Sequence, residues 1–544
     1  MKTFITALAT ITASAIVYDV NAQSLEEGKK LLAYERFSSA EAMLKPLAAN
    51  SPEANYNYGL SLLGLDKVAE AKQVFAKFPN DYMNMAGAAR VLYAEGQKEE
   101  ALKILQSIVD GAKKKDWNKL KVAADAITYS RVAEHVDKAI EWNKTAAERS
   151  KNNVEVMVSL ADALLLKNSG ESNGEAVGIL DNIVSSTNYA SLGYSRQGEL
   201  WMRARNYEKA LESYNKAKAA DPQNPLPYGD LANAYYRSGT YNLAKTNIEE
   251  YLKYSDKSVK DQMRYGNILY LTKDYEGAAK IYGDLIRAGE GEKTPSLYRG
   301  LAFANYQIGN YETALANFQQ YQSRLGDDSK LTFEDYLNLG QTNAALAIEE
   351  ADSTKRAELF SVAEQNFIKA TELNQDEDKT NLYHNIVEIY KNAKDWAKVA
   401  EWYGRLTDVD PLAAPLDYFN AGYYAYFAKD FKTATERLTI FNSKFPEENL
   451  GLYWLARTQA AQDPEAKTGL AEKAFKDWLN FELKEGQERQ TSDLIYAYQY
   501  LALHAYNKNN GREAVDWADK LLSVDANNNT AQVIKKHFAA KGIK

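Results

Sequence analysis

The sequence predicts an all-α protein built as a tandem array of helix–turn–helix units. Three observations carry this expectation. Ala210, Ala244 and Ala278 recur 34 residues apart, twice running, inside blocks of matching aromatic residues, and a fixed period in that range marks stacked repeats. The 544 residues include only 29 Gly and 11 Pro, about 5% and 2% against average usage of roughly 7% and 5%. Sandwiches, barrels and doubly wound enzymes need more turn residues than that. The prolines also read as punctuation. Pro52, Pro222, Pro411 and Pro446 fall where a second helix should stop, and Pro225, Pro295 and Pro415 fall where a first helix should open.

The chain begins with an address. Lys2 supplies a positive end, Phe4 to Val17 is apolar apart from Thr and Ser, and Val20-Asn21-Ala22 offers a small-residue cleavage site. Residues 1–22 are therefore expected to be a signal peptide, and 23–544 a single exported array. No later segment reaches the roughly 18 uninterrupted apolar residues of a membrane span, so no stable membrane insertion is expected after cleavage. The absence of Cys removes disulfides, thiolate metal sites, thiol nucleophiles and lipoprotein acylation. A net charge of −8 gives nucleic acid little electrostatic footing.

The repeats follow in order. One reads Tyr194-x2-Gln197-Gly198-x2-Trp201, then Tyr207-x2-Ala210-x3-Tyr214-x2-Ala217 and Pro222. The next reads Tyr228-x2-Leu231-Ala232-x2-Tyr235, then Tyr241-x2-Ala244-x3-Ile248, and the third Tyr265-Gly266-x2-Leu269, then Tyr275-x2-Ala278-x3-Tyr282. Small residues let two helix backbones approach, and large ones fill the space between units. This pattern resembles the tetratricopeptide repeat, W-x2-L-G-x2-Y … A-x3-F … P. In the same frame the close-packing position falls at Ala40, Ala71, Ala101, Ala139 and Ala176 upstream. Downstream it falls at Ala314, Ala363, Val399, Ala434, Ala474 and Ala514. That predicts fourteen units from about residue 24 to 527 and a capping helix near 530–540. The resemblance implies a right-handed superhelix, and Asn21-Ala22-Gln23 resembles the end of signals in exported Bacteroidota proteins. Extra residues at Asn168–Gly174, Ile348–Lys355 and Asp463–Gly469 are expected to form loops between paired helices. Tyr207, Tyr241 and Tyr275 are expected to pack between repeats.

Catalytic motifs are weak. Gly170-Glu171-Ser172-Asn173-Gly174 matches G-x-S-x-G but lacks the strand that would make it a nucleophile elbow. Gly289 to Thr294 breaks the phosphate-loop triplet with Glu292. Asn374 to Asp378 lacks the calcium-loop Gly and closing Glu. The histidines are His135, His384, His504 and His537, none close enough in sequence to another for the HExxH metal motif. No catalytic residue, metal or cofactor is expected, and the chain reads as a non-enzyme.

The resemblance places partner binding on the wall of first helices. The inward positions are Arg203, Asn233, Tyr236, Arg237, Arg264, Asn267, Tyr270, Arg299, Phe303 and Tyr306, then Asn385, Asn420, Tyr423, Tyr426, Tyr453 and Arg457. Arg, Tyr and Trp dominate binding hot spots, and Asn pairs with a peptide backbone. The expected function is an exported, periplasmic scaffold for a protein or peptide partner in an envelope assembly or secretion machine. Glycan or peptidoglycan binding through Tyr423, Tyr426 and Tyr453 is the alternative. A chaperone-type carboxylate clamp is not expected. Lys260 and Arg264 match one part of its pattern, but Asp230, Ser195 and Glu199 stand where Asn and Lys are required.

Overall fold

The computed structural model describes residues 24–186, 188–326, 330–376, 378–483 and 488–543. The expected signal segment 1–22 lies outside them. The chain forms two compact units, one ending at Ala304 and the other beginning at Asn305. Among the described residues, every regular element is a helix.

The first unit contains eight hairpins. They run from 24–33 with Phe37–Leu44 to Val259–Leu271 with Tyr275–Arg287, and the helix Ser296–Ile308 passes through the boundary. The second unit holds Tyr311–Leu325, five hairpins from Phe333–Glu349 to Gly511–Val524, and a last helix Asn529–Ala539. Every expected close-packing position is buried: Ala474 exposes 7% and the other thirteen none, Val399 included. The neighbouring small residues act in the same way. A Cβ built on Gly198 would sit 2.4 Å from the Tyr214 ring, so only glycine lets that helix settle on its partner.

Within each unit, second helices pack on the first helix of their own repeat and on that of the next, and several consecutive first helices also touch, as Pro52–Gly64 touches Tyr82–Ala94 and Tyr82–Ala94 touches Trp117–Thr128. The first helices thus form the more tightly packed wall within each unit. Hairpin turns need one left-handed residue, and most of these are not glycine. Glu35, Asp66, Arg131, Arg205, Lys273, Lys394 and Lys429 have φ of 56–63°, although this region costs a non-glycine residue roughly 1–2 kcal/mol. The hydrogen bonds of the turn offset that cost, as where Asp274 N–H reaches Leu269 C=O at 2.9 Å. The scarcity of glycine is therefore partly a property of these turns.

Four expectations need correction. Pro52 opens a first helix, Pro52–Gly64, instead of ending a second one. Asn168–Gly174 is not a loop: Ser169 and Ser172 form a capping box, and the helix starts at Gly170. Ser172, the hydroxyl of the G-x-S-x-G match, is buried and hydrogen-bonded to Ser169. Most of the extra residues at Ile348–Lys355 lengthen two helices, Phe333–Glu349 and Ser353–Leu373, leaving a linker of residues 350–352. Tyr207 is 58% exposed and does not pack between repeats.

The insertion at Asp463–Gly469 is a true loop, and it is tightly held. Asp463 accepts the N–H groups of Lys467, Thr468 and Gly469 and the hydroxyl of Tyr500. Burial pushes its carboxyl up, but the Tyr500 hydroxyl and the loop donors hold it well below the usual carboxylate range. His504 Nδ1 lies 2.8 Å from Ala466 O, and Gly469 (φ +75°) has no room for a Cβ against the same ring.

Candidate functional site

In the first unit the wall of first helices is a row of cross-braced polar groups. Arg203 donates to Leu165 C=O at 2.6 Å and to Glu199 at 2.5 Å, which ties the sixth repeat to the fifth. Arg264 donates to Asn233 Oδ1 at 2.8 Å and lies over the Tyr251 ring at 5.2 Å. Asn267 accepts the Tyr282 hydroxyl at 2.6 Å. Arg299 lies over Phe303 at 4.4 Å, and Phe303 meets Tyr270 at 6.4 Å. Arg237 is exposed and, among the described residues, has no polar partner.

The wall tyrosines are partly committed to the hairpin turns. Tyr236 meets Tyr241 edge-on at 6.0 Å, and Tyr270 meets Tyr275 at 5.3 Å. In the second unit Tyr306 meets Tyr311 at 5.7 Å, and Tyr426 meets Phe431 at 5.8 Å. The spacing i, i+5 thus spans the turn from first helix to second. Tyr207 is exposed because Met202 stands five residues before it, where the other turns have tyrosine. Tyr241 and Tyr275, expected between repeats, therefore meet the wall tyrosines of their own repeat across its turn.

Further along the second unit, Asn385 is exposed and Asn420 half-buried. Tyr423 and Tyr426 stand in a cluster with Phe427 and Trp454, their centroids 4.6 and 5.2 Å from the Trp454 ring. Arg457 lies over Tyr496 at 4.5 Å and donates to the Tyr453 hydroxyl at 3.2 Å. Tyr453 itself exposes only 4%. Its hydroxyl donates to Asp493 at 2.5 Å and its ring meets Trp478 at 4.8 Å. It is a wall-packing residue, because the first helix of the next repeat brings Asp493 over it.

Sequence reasoning missed the buried charged groups of the first unit. Asp162 accepts Tyr129 OH at 2.9 Å and Arg196 Nε at 2.7 Å, and Lys121 pairs with Asp125 at 2.8 Å. Tyr129 exposes 42% of its surface, yet desolvation lifts its hydroxyl well above the ordinary phenol range. The only available signal was a charged residue on a first helix, and Arg196 carries it inside a well-matched repeat.

Asp230 lies on the same wall. Burial pushes its carboxyl up to about 7, with Glu199 and Glu35 adding to the rise and Arg196 and Arg264 opposing it. A carboxyl raised in the folded state prefers the proton, so stability is lost as pH rises from about 4 to about 7. Asp230→Asn should therefore leave urea stability near pH 4 unchanged and raise it at pH 8 by about 1–2 kcal/mol, a value discounted for partial exposure. Equal stability changes at the two pH values would contradict this.

Among the described residues, no group of His, Cys, Asp and Glu could hold a metal ion, and no helix is long and apolar enough to cross a membrane. His384 Nε2 instead meets Asp417 at 2.6 Å.

Residues 191–224 and 230–293 each match a family described as "Tetratricopeptide repeat". Over 158 residues the chain is 29% identical to a TPR repeat-containing protein of Methanocaldococcus jannaschii, covering 27% of each chain. It is 26% identical over 121 residues to small glutamine-rich tetratricopeptide repeat-containing protein 2 of Mycosarcoma maydis, covering 22% of this chain and 34% of that one. The matches thus span about a quarter to a third of these relatives' lengths. A solved structure of the C-terminal part of a TPR repeat-containing protein from Cytophaga hutchinsonii shares 21% identity. It covers 50% of this chain and 98% of that one at a TM-score of 0.32. The segments 191–224 and 230–293 thus resemble tetratricopeptide repeats, and the described residues on either side continue in helical hairpins with a buried Ala, or Val399, at the corresponding position.

Proposed function

We propose that the chain is an exported scaffold that holds a protein or peptide partner along its first-helix wall, as part of a cell-envelope assembly or secretion machine. Tetratricopeptide repeat proteins generally serve as protein-interaction scaffolds and are typically non-enzymatic. The observation that carries the reading is the surface formed by Asn233, Tyr236, Arg237 and Arg264. It places an uncommitted guanidinium beside an Asn–Arg pair and a 39%-exposed tyrosine. Such a surface offers charge-assisted donors and an aromatic face together. Export rests on the apolar segment Phe4 to Val17 and the cleavage site at Ala22. The glycan alternative relied on three tyrosine platforms; Tyr453 is buried, and Tyr423 and Tyr426 meet Trp454 edge-on.

Reversal of Arg237, Arg264 and Arg299 to glutamate is expected to reduce partner recovered from native envelope extracts at least about tenfold, given two or three lost charge contacts. Circular dichroism should remain unchanged. Undiminished recovery would overturn this assignment of the surface.

A further inference from the structure

The first hairpin touches the chain again almost 200 residues later, within the first unit. The Tyr34 hydroxyl donates to Asp221, with Lys30 Nζ 3.6 Å from the same carboxylate. Asp256 accepts the backbone N–H groups of Ser38 and Ser39 at 2.7 and 3.1 Å, and the Ser39 hydroxyl at 2.5 Å. Arg36 Nε lies 3.5 Å away. Asp221 and Asp256 occupy the linkers that follow the sixth and seventh repeats. Glu35, at the hairpin turn, lies close enough to Asp230 and Tyr251 for its charge to act on both.

These contacts complete a helix. Phe37–Leu44 has no side-chain cap of its own and no acid in its first turn, so its leading N–H groups need an acceptor and its dipole favours an anion. Asp256 supplies both from across the unit. The two sides of the hairpin are held differently. Leu31, Ala40 and Leu44 belong to an apolar cluster that runs on through the following repeats and includes no residue beyond Trp201. On the far side the contacts with Asp221 and Asp256 are all polar. An array of stacked hairpins flexes readily, because each repeat contacts only its neighbours. The polar side is therefore the one that can part.

We infer that the first repeat is a releasable clasp, which closes the first-helix wall of repeats two to seven into a ring and uncovers that wall when the Tyr34–Asp221 and Asp256–Ser38/Ser39 contacts break. The wall inside carries Tyr129, Asp162, Arg196 and Asp230. The clasp does not rest on the proposed scaffold role.

The absence of cysteine makes the test clean. Spin labels are placed on exposed Ala42 and Lys253 through Ala42→Cys and Lys253→Cys in the full chain, and the inter-label distance is measured by pulsed electron resonance. A single short, narrow distribution is expected. Adding Tyr34→Phe and Asp256→Ala should abolish the narrow population and give a longer, broader one. Where that variant loses circular dichroism, Asp256→Asn keeps the side-chain shape and should convert part of the population. High salt should act in the same direction, since it screens the charge-assisted bonds. A distribution already broad before mutation, or one left narrow by the mutations, would overturn the clasp. Neither result bears on partner capture by Arg237 and Arg264, so the two ideas fail separately.

Discussion

Trp402→Ala is expected to cost about 4 kcal/mol, as is usual when a large aromatic is deleted from a core. Trp402 exposes no surface. Its ring meets Tyr383 at 5.6 Å and Phe367 at 6.3 Å, both edge-on, and Arg405 lies over it at 5.1 Å. Its Nε1 donates to Glu364 at 3.2 Å, and the Tyr390 hydroxyl donates to the same carboxylate at 2.5 Å. Lys398 lies 3.3 Å from the other carboxylate oxygen. Alanine would open a cavity and also leave half of a partly buried acceptor unpaired. Trp402→Phe separates the two effects. It keeps most of the volume and loses the N–H with two ring carbons, so a smaller cost of about 1–2 kcal/mol is expected. Repeat arrays need not unfold in one step. The readout is therefore hydrogen exchange in the helices Ser353–Leu373, Thr380–Asn392 and Trp396–Val409. A loss below about 2 kcal/mol for the alanine would mean that the site collapses around the cavity.

Sequence made the repeat frame readable because one physical requirement repeats. Two helices can approach closely only over a small side chain, and the alanines from Ala40 to Ala514 report that requirement directly. Whatever departs from a nearest-neighbour rule was hidden. Lys273 and Glu35 take the left-handed turn position without being glycine, so composition did not mark those turns. The extra residues near Ser169 open a helix, because a capping box costs little sequence to build. Asp162 collects Tyr129 and Arg196 from neighbouring repeats, and no spacing within one repeat predicts that. Of the wall residues, six are exposed and nine half-buried. Tyr453 is the exception, because its exposure depends on Asp493, 40 residues further on. The capping of Phe37–Leu44 by Asp256 is further still from anything periodicity can show.

Ala244→Leu is expected to cost about 3 kcal/mol, at the upper end for overpacking a dense core. Ala244 exposes no surface and shares its cluster with Ala232, Ile248 and Ile268. All of them are fully buried, so no slack exists on the side where the new carbons would go. The crossing is tight elsewhere as well: a Cβ on Gly229 would already stand 3.0 Å from the Tyr251 ring. Relief would require the helices Leu226–Arg237 and Tyr241–Tyr254 to move apart, and both adjoining repeats would lose contacts with them. Smaller is not better either. Ala244→Gly removes little volume but should cost about 1 kcal/mol through helix propensity alone. Ala244→Val should fall between glycine and leucine, because the equivalent Val399 is accommodated with no exposed surface. Stability is thus expected to peak at alanine and fall on both sides, measured by hydrogen exchange in the two helices. A leucine accepted within about 0.5 kcal/mol would show that the helices can part freely. The 34-residue recurrence of alanine would then need a cause other than close approach.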